Sequence, residues 1–448
     1  YLSFASLCRL CKARFTLIRT DFFMSSHASL NSRLGLLLTL YICQGLPTGV
    51  FSQALPAILR RYDVPLTVIG LTGLLAMPWA LKFLWAPWVE SHFSARWGQR
   101  RSWILPMQVL GAITLVLIAF FDPYQLATSN GVALFFVLMF MVNLFAATQD
   151  IATDGLAVRT LDFHERGMGN GVQVAGYRLG LIIGGGLLLY LIGAWHWRGS
   201  FLVLAALLVL LTIPVWRLRE PAAELSRHRE PMPYLRIFTS FFDRPGLKGW
   251  LIVLVTYKAG ESLGSAMVKP MLVDMGLDLK QIGLMVSIVG SIAALTGALL
   301  GGWLTAVIGR YYAIIGFGAL QGLGVAAYGW LSWQHDANGT VSMTAIYSIN
   351  ALEHFVSGMA MAALLTAVMD LSRPEHAGAD FTVQVSILAI FGGSFYLGAV
   401  FVTEALGYTG YYLVSGALAL VLLWPAAVYC RRLPWLVDGR VSGDNSTP

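Results

Sequence analysis

Stretches of about 20 apolar residues recur along this chain and constrain its fold more than any other feature. Each stretch is long enough to cross a hydrocarbon core about 30 Å thick. Because lipid offers the backbone no hydrogen-bond partners, such segments must be helical, and they are too long for barrel strands. Charged residues make up only 12% of the chain, too few for a water-exposed surface. The sequence therefore predicts an all-α membrane protein.

The apolar stretches predict twelve helices in two groups of six. They are expected near 34–58, 66–89, 103–121, 131–158, 171–193, 198–216, 249–272, 281–306, 311–332, 342–370, 380–404 and 409–430. The longest interruption, 217–248, is rich in Arg and Pro. We expect an N-terminal six-helix bundle over 34–216, a cytoplasmic loop over 217–248 and a C-terminal six-helix bundle over 249–432.

Two terminal segments are expected to flank the bundles. Residues 1–33 form an N-terminal cytoplasmic segment, and residues 433–448 form a cytoplasmic tail. Met24 opens a stretch that is typical of a natural bacterial start, so residues 1–23 are expected to be upstream translation or a misassigned start. A surface-lying amphipathic helix is the alternative for these residues.

The distribution of Lys and Arg predicts the orientation in the membrane. With the N-terminus inside, 22 of the 30 basic residues lie on the cytoplasmic side and 4 on the opposite side. This asymmetry places both termini in the cytoplasm. It also accounts for the formal charge of +7, so that no nucleic-acid partner is expected.

The two halves of the chain repeat at an offset of about 210 residues. Segment 167–174 (GMGNGVQV) matches 378–385 (GADFTVQV), and each opens the fifth helix of its half. Six plus six helices in parallel repeats is the arrangement of the major facilitator fold, which holds a substrate between the halves near the midplane. A monomer is the expectation from this fold.

Motifs for catalysis are missing from the sequence. It contains no phosphate-binding loop, HExxH motif or nucleophile elbow, and His, Cys and carboxylates do not cluster at metal spacing. We therefore predict a transporter rather than an enzyme, with no cofactor and no metal. Without an ATP-binding motif, an ion gradient is the default source of energy.

Charged residues form a first group toward the cytoplasmic ends of the second and fourth helices. The group consists of Lys82, Glu90, Arg100, Arg101, Asp150 and Asp154. Burying charge in lipid is costly, so these side chains are expected to face a cavity or one another. One interpretation is a structural cluster with the Arg100–Arg101 loop that locks a cytoplasmic gate. The alternative is direct contact of Lys82 and the two aspartates with substrate or protons.

Polar residues in the first and fifth helices are candidates for binding substrate. Arg178 shares a helix face with Gln173 and Tyr177, and this set suits an anionic or chelate ligand. Pairing of Arg178 with an aspartate is the alternative. Gln44 and Gln53 lie in a first helix bent by Pro, but nine positions apart they point to different faces and need not both reach the cavity.

The C-terminal half contributes further candidates. Lys258 and Glu261 either form a simple pair or provide a substrate contact and a proton-coupling carboxylate. Glu353 and His354 lie in the middle of the tenth helix and are candidates for proton coupling, because His titrates near neutrality. Gln384, which matches Gln173 in the repeat, is a further candidate for substrate binding.

Several segments resemble a known group of transporters. Segments 82–87 (KFLWAP), 98–103 (GQRRSW) and 147–154 (ATQDIATD) resemble the AmpG-like, acetyl-coenzyme A transporter-like branch of the major facilitator superfamily. Within that branch, 44–56 (QGLPTGVFSQALP) and 147–157 (ATQDIATDGLA) look most like the RhtX/FptX permeases, which carry ferric siderophores into the cytoplasm. Glu90 stands where related chains usually have Asp.

The resemblance implies a leading hypothesis and an alternative. The leading hypothesis is proton-coupled import of a ferric siderophore across a bacterial inner membrane by alternating access. The alternative is an AmpG-like permease that imports muropeptides in cell-wall recycling and β-lactamase induction. A membrane sensor or scaffold is the non-transport alternative, which the short loop and tail do not favour. The expected partners are a small-molecule substrate, protons and the lipid bilayer.

Overall fold

The computed structural model describes residues 29–94, 96–218, 220, 233–244 and 246–432. Within these ranges the only regular elements are helices, so the predicted all-α class is confirmed. Most of the predicted N-terminal segment, the tail 433–448 and much of the central loop lie outside the described residues.

In the described part of the chain, ten helices are long and apolar enough to span a membrane. With the shorter apolar helix Val68–Leu84, and with Pro374–Arg431 divided into two arms, they give twelve spans arranged in two bundles. The N-terminal bundle contains α1 (Leu30–Arg61), α2 (66–91), α3 (Arg101–Phe120), α4 (Ser129–Thr160), α5 (Arg166–Ala194) and α6 (Trp197–Trp216). The C-terminal bundle contains α7 (Leu247–Asp274), α8 (279–308), α9 (Arg310–Asn338), α10 (Met343–Leu371), α11 (377–406) and α12 (408–431). Several helices run past their predicted ends, because polar residues at the membrane surface can continue a helix beyond its apolar segment.

The last two spans form a hairpin within one long apolar stretch, Pro374–Arg431. The backbone leaves the helical conformation at Gly407, with φ 66° and ψ 174°, values that suit a residue without a side chain. Both arms pack on α7. A side chain on Gly392 of α11 would contact Lys258, and one on Gly260 of α7 would contact Ala419 of α12. The stretch therefore crosses the membrane twice.

The second span, α2, is the least regular helix. It consists of Leu66–Gly70, Met77–Leu81 and Ala86–Ser91, joined by two 3₁₀ segments. Pro78 and Pro87 open the second and third segments, and proline lacks the N–H group that a continuous α-helix needs. This break places Lys82 on a 3₁₀ turn in the membrane interior, where it faces α4.

Glycines allow α1 and α5 to pack closely. A Cβ atom on Gly45 would lie 2.0 Å from the Tyr177 carbonyl oxygen, and one on Gly184 would lie 1.9 Å from the Leu46 carbonyl oxygen. Only a hydrogen fits between these backbones. The close contact brings the polar residues of the two helices into one layer beside α4.

The central loop contains a helix that the sequence analysis did not predict. The linker helix, Tyr234–Phe242, buries Ile237 and Phe241. Arg373, which precedes α11, donates to the Ser240 hydroxyl at 3.0 Å and to the Ile237 carbonyl at 3.3 Å. At nine residues the helix is too short to form an apolar span, but its amphipathic pattern could have predicted a helix that lies against the bundles.

Candidate functional site

A polar cavity lies between the two bundles. It has a volume of about 230 Å³ and is not enclosed. The N-terminal bundle lines it with Tyr41, Gln44, Trp79, Lys82, Asp150, Asp154, Gln173, Val174, Tyr177 and Arg178. The C-terminal bundle lines it with Met361, Leu365, Phe381 and Val385. One wall therefore carries all the charged and hydrogen-bonding side chains, and the other is apolar.

Two carboxylates share one ammonium group at the centre of the polar wall. Lys82 Nζ forms an ion pair with Asp150 and lies 3.9 Å from Asp154 Oδ2. The three side chains are at most 8% exposed. The aspartates are one helical turn apart on α4, which is why both reach the same lysine. When all three groups are ionised, the cluster keeps one uncompensated negative charge in a nearly dry site.

Asp154 is also held by neutral donors from two other helices. The Tyr41 hydroxyl of α1 donates to Asp154 Oδ1 at 3.1 Å, and Gln173 Nε2 of α5 donates to the same oxygen at 3.2 Å. Any change in the charge of Asp154 would therefore be transmitted to α1, α2, α4 and α5.

Some polar groups of the cavity have no protein partner in the described part of the chain. Arg178 forms no hydrogen bond or ion pair there, although it is half-buried. Gln44 Nε2 and Gln173 Oε1 are buried and also lack hydrogen bonds. The alternative interpretation, a pair between Arg178 and an aspartate such as Asp154, is not formed. Buried polar groups without partners cost free energy, so these atoms are suited to bind a solute.

Glu90 and Arg100 form a separate ion pair at the end of the cavity that the basic residues assign to the cytoplasm. Both guanidinium Nη atoms donate to the two carboxylate oxygens at 2.7 Å. Gln99 donates to the Glu90 carbonyl at 2.8 Å and accepts from Arg159 at 2.7 Å. The expectation of one continuous charge cluster is therefore wrong. Asp150 and Asp154 pair with Lys82, because they lie on the cavity face of α4 rather than toward the loop.

Arg101 anchors the loop between α2 and α3 to the end of α6. Its Nη1 atom donates to the Leu218 carbonyl at 2.8 Å, and the backbone N–H groups of Arg100 and Arg101 donate to Glu220 Oε1 at 2.9 Å. This contact lies within the N-terminal bundle and fixes the position of Arg100 beside Glu90.

A second set of contacts, the cytoplasmic closure, joins the bundles and was not predicted. Asp370 of α10 accepts from Arg166 of α5 at 2.9 Å and from Arg310 of α9 at 3.0 Å. Arg310 also donates to the Phe163 carbonyl and lies over the Phe163 ring. Among the described residues, ion pairs between the bundles occur at this end of the molecule. The cavity is thus closed toward the side that the basic residues assign to the cytoplasm.

Three of the predicted substrate-binding residues lie outside the cavity. Gln53 packs against Gly185, further along α1 and α5. Lys258 pairs with Glu261 at 2.8 Å. Gln384 is fully buried and bonded to Trp250, Val368, Ser372 and Asp380. The repeat matches Gln384 to Gln173 in sequence, but in the structure Gln384 has a structural role because α7 and α10 surround it.

The predicted proton-coupling residues also lie away from the cavity. The Glu353 carboxylate is 4% exposed and lies 3.0 Å from His354 Nδ1, which also contacts the Asn350 carbonyl. The His354 ring packs on Gly290 of α8, and Glu353 packs on Gly324 of α9. These residues lie inside the C-terminal bundle, and Glu261 is occupied by Lys258.

Comparisons with known proteins agree with this architecture. Residues 37–403 match the family model described as the Major Facilitator Superfamily. The anhydromuropeptide permease of Escherichia coli K12 is 30% identical over 404 residues, which are 87% of this chain and 78% of the relative. The putative transporter AmpG 4 of Rickettsia conorii is 25% identical over 396 residues, 86% of this chain and 93% of the relative.

A solved structure shares the fold. The proton:xylose symporter XylE, bound to 6-bromo-6-deoxy-D-glucose, superposes with a TM-score of 0.66 and 13% identity, over 91% of this chain and 96% of that chain. The relatives reported above carry the names of AmpG-like transporters and not of siderophore permeases. By its sequence and its fold, the chain belongs to the Major Facilitator Superfamily and is a multi-pass secondary transporter with AmpG-like relatives.

Proposed function

We propose that this protein imports an anhydromuropeptide-like solute across a bacterial inner membrane, as a monomer that works by alternating access. The observation that carries the proposal is the inter-bundle cavity, where free polar groups face an apolar wall. Its similarity to a permease named for anhydromuropeptides supports the substrate class. This is the alternative that the sequence analysis left open beside siderophore import.

The chemistry of the cavity suits such a solute. A muropeptide joins a sugar to a short peptide and so carries carboxylates, amides and an apolar ring face. Arg178 can bind a carboxylate with two parallel hydrogen bonds, and the amides of Gln44 and Gln173 can exchange hydrogen bonds with peptide groups. Phe381 and Met361 on the opposite wall can pack against a ring face. About 230 Å³ accommodates part of the solute, and the open side accommodates the remainder.

The proposal assigns proton coupling to the Lys82–Asp150–Asp154 cluster rather than to Glu261, Glu353 or His354. Two carboxylates around one ammonium carry one excess negative charge, which a single proton neutralises. Protonated Asp154 would also exchange its contacts with Tyr41 and Gln173, because one carboxyl oxygen becomes a donor. Gln173 lies one turn before Tyr177 and Arg178, so proton binding would alter the wall that holds the solute.

Siderophore import remains a second candidate because segments of α1 and α4 resemble the RhtX/FptX permeases. Arg178 would suit an anionic ferric chelate as well as a peptide carboxylate. The two candidates differ in the solute that accumulates, so one experiment can separate them.

The test is uptake of radiolabelled anhydromuropeptide and of several ferric siderophores into cells with and without this gene. We expect gene-dependent accumulation of the muropeptide, abolished by a protonophore and by Arg178→Ala. Gln44→Ala should reduce uptake, whereas its matched control Gln53→Ala should not, because Gln44 lines the cavity and Gln53 does not. Accumulation of a siderophore without the muropeptide would refute muropeptide import and favour siderophore import. Uptake that persists with the protonophore would refute proton coupling.

A further inference from the structure

A second cavity lies on the outer face of the N-terminal bundle, between α3 and α6, and the proposed transport does not use it. Its volume is about 400 Å³. Its walls include Val109 of α3, 45% exposed, and Val209 and Ile213 of α6, 55% and 45% exposed. Because these apolar side chains face outward in a membrane-spanning bundle, the cavity is a groove open to lipid. We call it the α3–α6 groove.

The groove contains a buried polar group without a partner. Gln108 of α3 is 1% exposed, and neither its amide nitrogen nor its amide oxygen has a hydrogen bond among the described residues. The Cys43 thiol lies beside this amide but does not meet hydrogen-bond geometry. An amide without a partner is costly in hydrocarbon, so Gln108 indicates a ligand that brings a polar atom into the groove.

A cation marks the cytoplasmic end of the same groove. Arg217 follows the last residue of α6, lines the groove and is exposed, without an ion pair among the described residues. Its neighbour Trp216 is 65% exposed, as expected for a residue at the membrane interface. A guanidinium group matches the geometry of a phosphate, and anionic lipids give the cytoplasmic leaflet its negative surface.

We propose that the α3–α6 groove binds one anionic phospholipid of the cytoplasmic leaflet. An acyl chain lies along Val109, Val209 and Ile213, and the phosphate pairs with Arg217. Gln108 is seven residues into α3 from Arg101, or about 10 Å along the helix axis. That depth brings its side chain to the boundary between headgroups and hydrocarbon, where the ester carbonyls of a phospholipid can accept from Nε2.

The test measures bound lipid and needs no transported solute. The purified protein, reconstituted with equal amounts of phosphatidylglycerol and phosphatidylethanolamine, is extracted and its retained lipids are quantified by native mass spectrometry. We expect the retained phosphatidylglycerol to exceed the retained phosphatidylethanolamine about fivefold, because this ratio corresponds to the attraction between one arginine and an anionic lipid surface. Arg217→Ala should remove this enrichment. Arg432→Ala removes an exposed cytoplasmic arginine outside the groove and should leave it unchanged.

A second variant tests the groove itself. Val209→Trp fills the space between α3 and α6 at a position that is already exposed, so the bundle is expected to fold. It should abolish retention of the lipid while leaving solute uptake measurable. Equal retention of the two lipids by the wild type, or enrichment that survives Arg217→Ala, would overturn the proposal without bearing on the transported solute.

Discussion

Replacing Asp370 by asparagine should open the cytoplasmic side of this transporter. The Asp370 side chain is 1% exposed and bridges Arg166 of one bundle to Arg310 of the other, at 2.9 and 3.0 Å. The variant keeps the side-chain shape but removes the charge, and it leaves the buried guanidinium group of Arg310 and the partly buried one of Arg166 without this counter-ion. Breaking a buried pair in this way costs about 3–5 kcal/mol. When the bundles separate, water reaches both arginines and the cost is relieved.

The penalty therefore falls on the closed state alone. A difference of 3–5 kcal/mol changes the equilibrium between closed and open states by a factor of about 10² to 10⁴. Spin labels at Asp162 and Val307, which are exposed on opposite bundles near the closure, report this change as a longer distance by electron–electron resonance. We expect one short distance in the wild type and a dominant longer distance in Asp370→Asn.

Asp380→Asn is the matched control for this prediction. Asp380 is equally buried and pairs with Arg373 at 2.7 Å, but both residues belong to the C-terminal bundle. Its loss should lower stability without changing the distance between the labels. If Asp370→Asn gave the wild-type distance distribution, or if both variants lengthened it equally, the cytoplasmic closure would not depend on the Asp370 bridge.

Three further predictions concern the site and the packing. Asp154→Asn should abolish proton-driven accumulation but keep solute exchange between two sides without a gradient, as measured in vesicles; loss of both activities would contradict a coupling role. Gly184→Ala should prevent folding because its Cβ atom would lie 1.9 Å from the Leu46 carbonyl, whereas Gly186→Ala, with nothing within 4 Å, should yield normal protein by gel filtration. Gln384→Leu should lower the free energy of unfolding by about 1–3 kcal/mol, because it leaves the buried Trp250 N–H unpaired, and an unchanged thermal midpoint would refute the structural role.

The fold could be predicted from the sequence because its causes are local. The length of an apolar segment and the charges at its ends decide whether it spans and in which direction, and both can be read without knowing the neighbouring helices. Even the hairpin of α11 and α12 could be predicted from the sequence. A single helix of 58 residues would be about three times as long as the hydrocarbon core is thick, so the stretch has to turn back.

The site was only partly predictable because it depends on which helix lies opposite each residue. Gln44, Gln173, Tyr177 and Arg178 reach the cavity, but the equally polar Gln384 is surrounded by α7 and α10. Sequence spacing gives the face of a helix and not the neighbour that covers it.

The bridge at Asp370 illustrates the same limit. It joins residues from α5, α9 and α10 that are up to 204 positions apart, and no local pattern relates them. Asp370 stands near the end of an apolar helix, where a carboxylate would equally suit solvent. A search for opposite charges at those helix ends of the two halves that meet on the same side of the membrane could have suggested the pair of Arg166 and Asp370.

The most direct test of the central claim uses purified protein in proteoliposomes with an imposed inward proton gradient. We expect accumulation of radiolabelled anhydromuropeptide that stops when the gradient is collapsed and that is lost in Arg178→Ala. Two results would contradict proton-coupled muropeptide import through this site. One is accumulation of a ferric siderophore but not of the muropeptide, and the other is muropeptide accumulation by Arg178→Ala equal to that of the wild type.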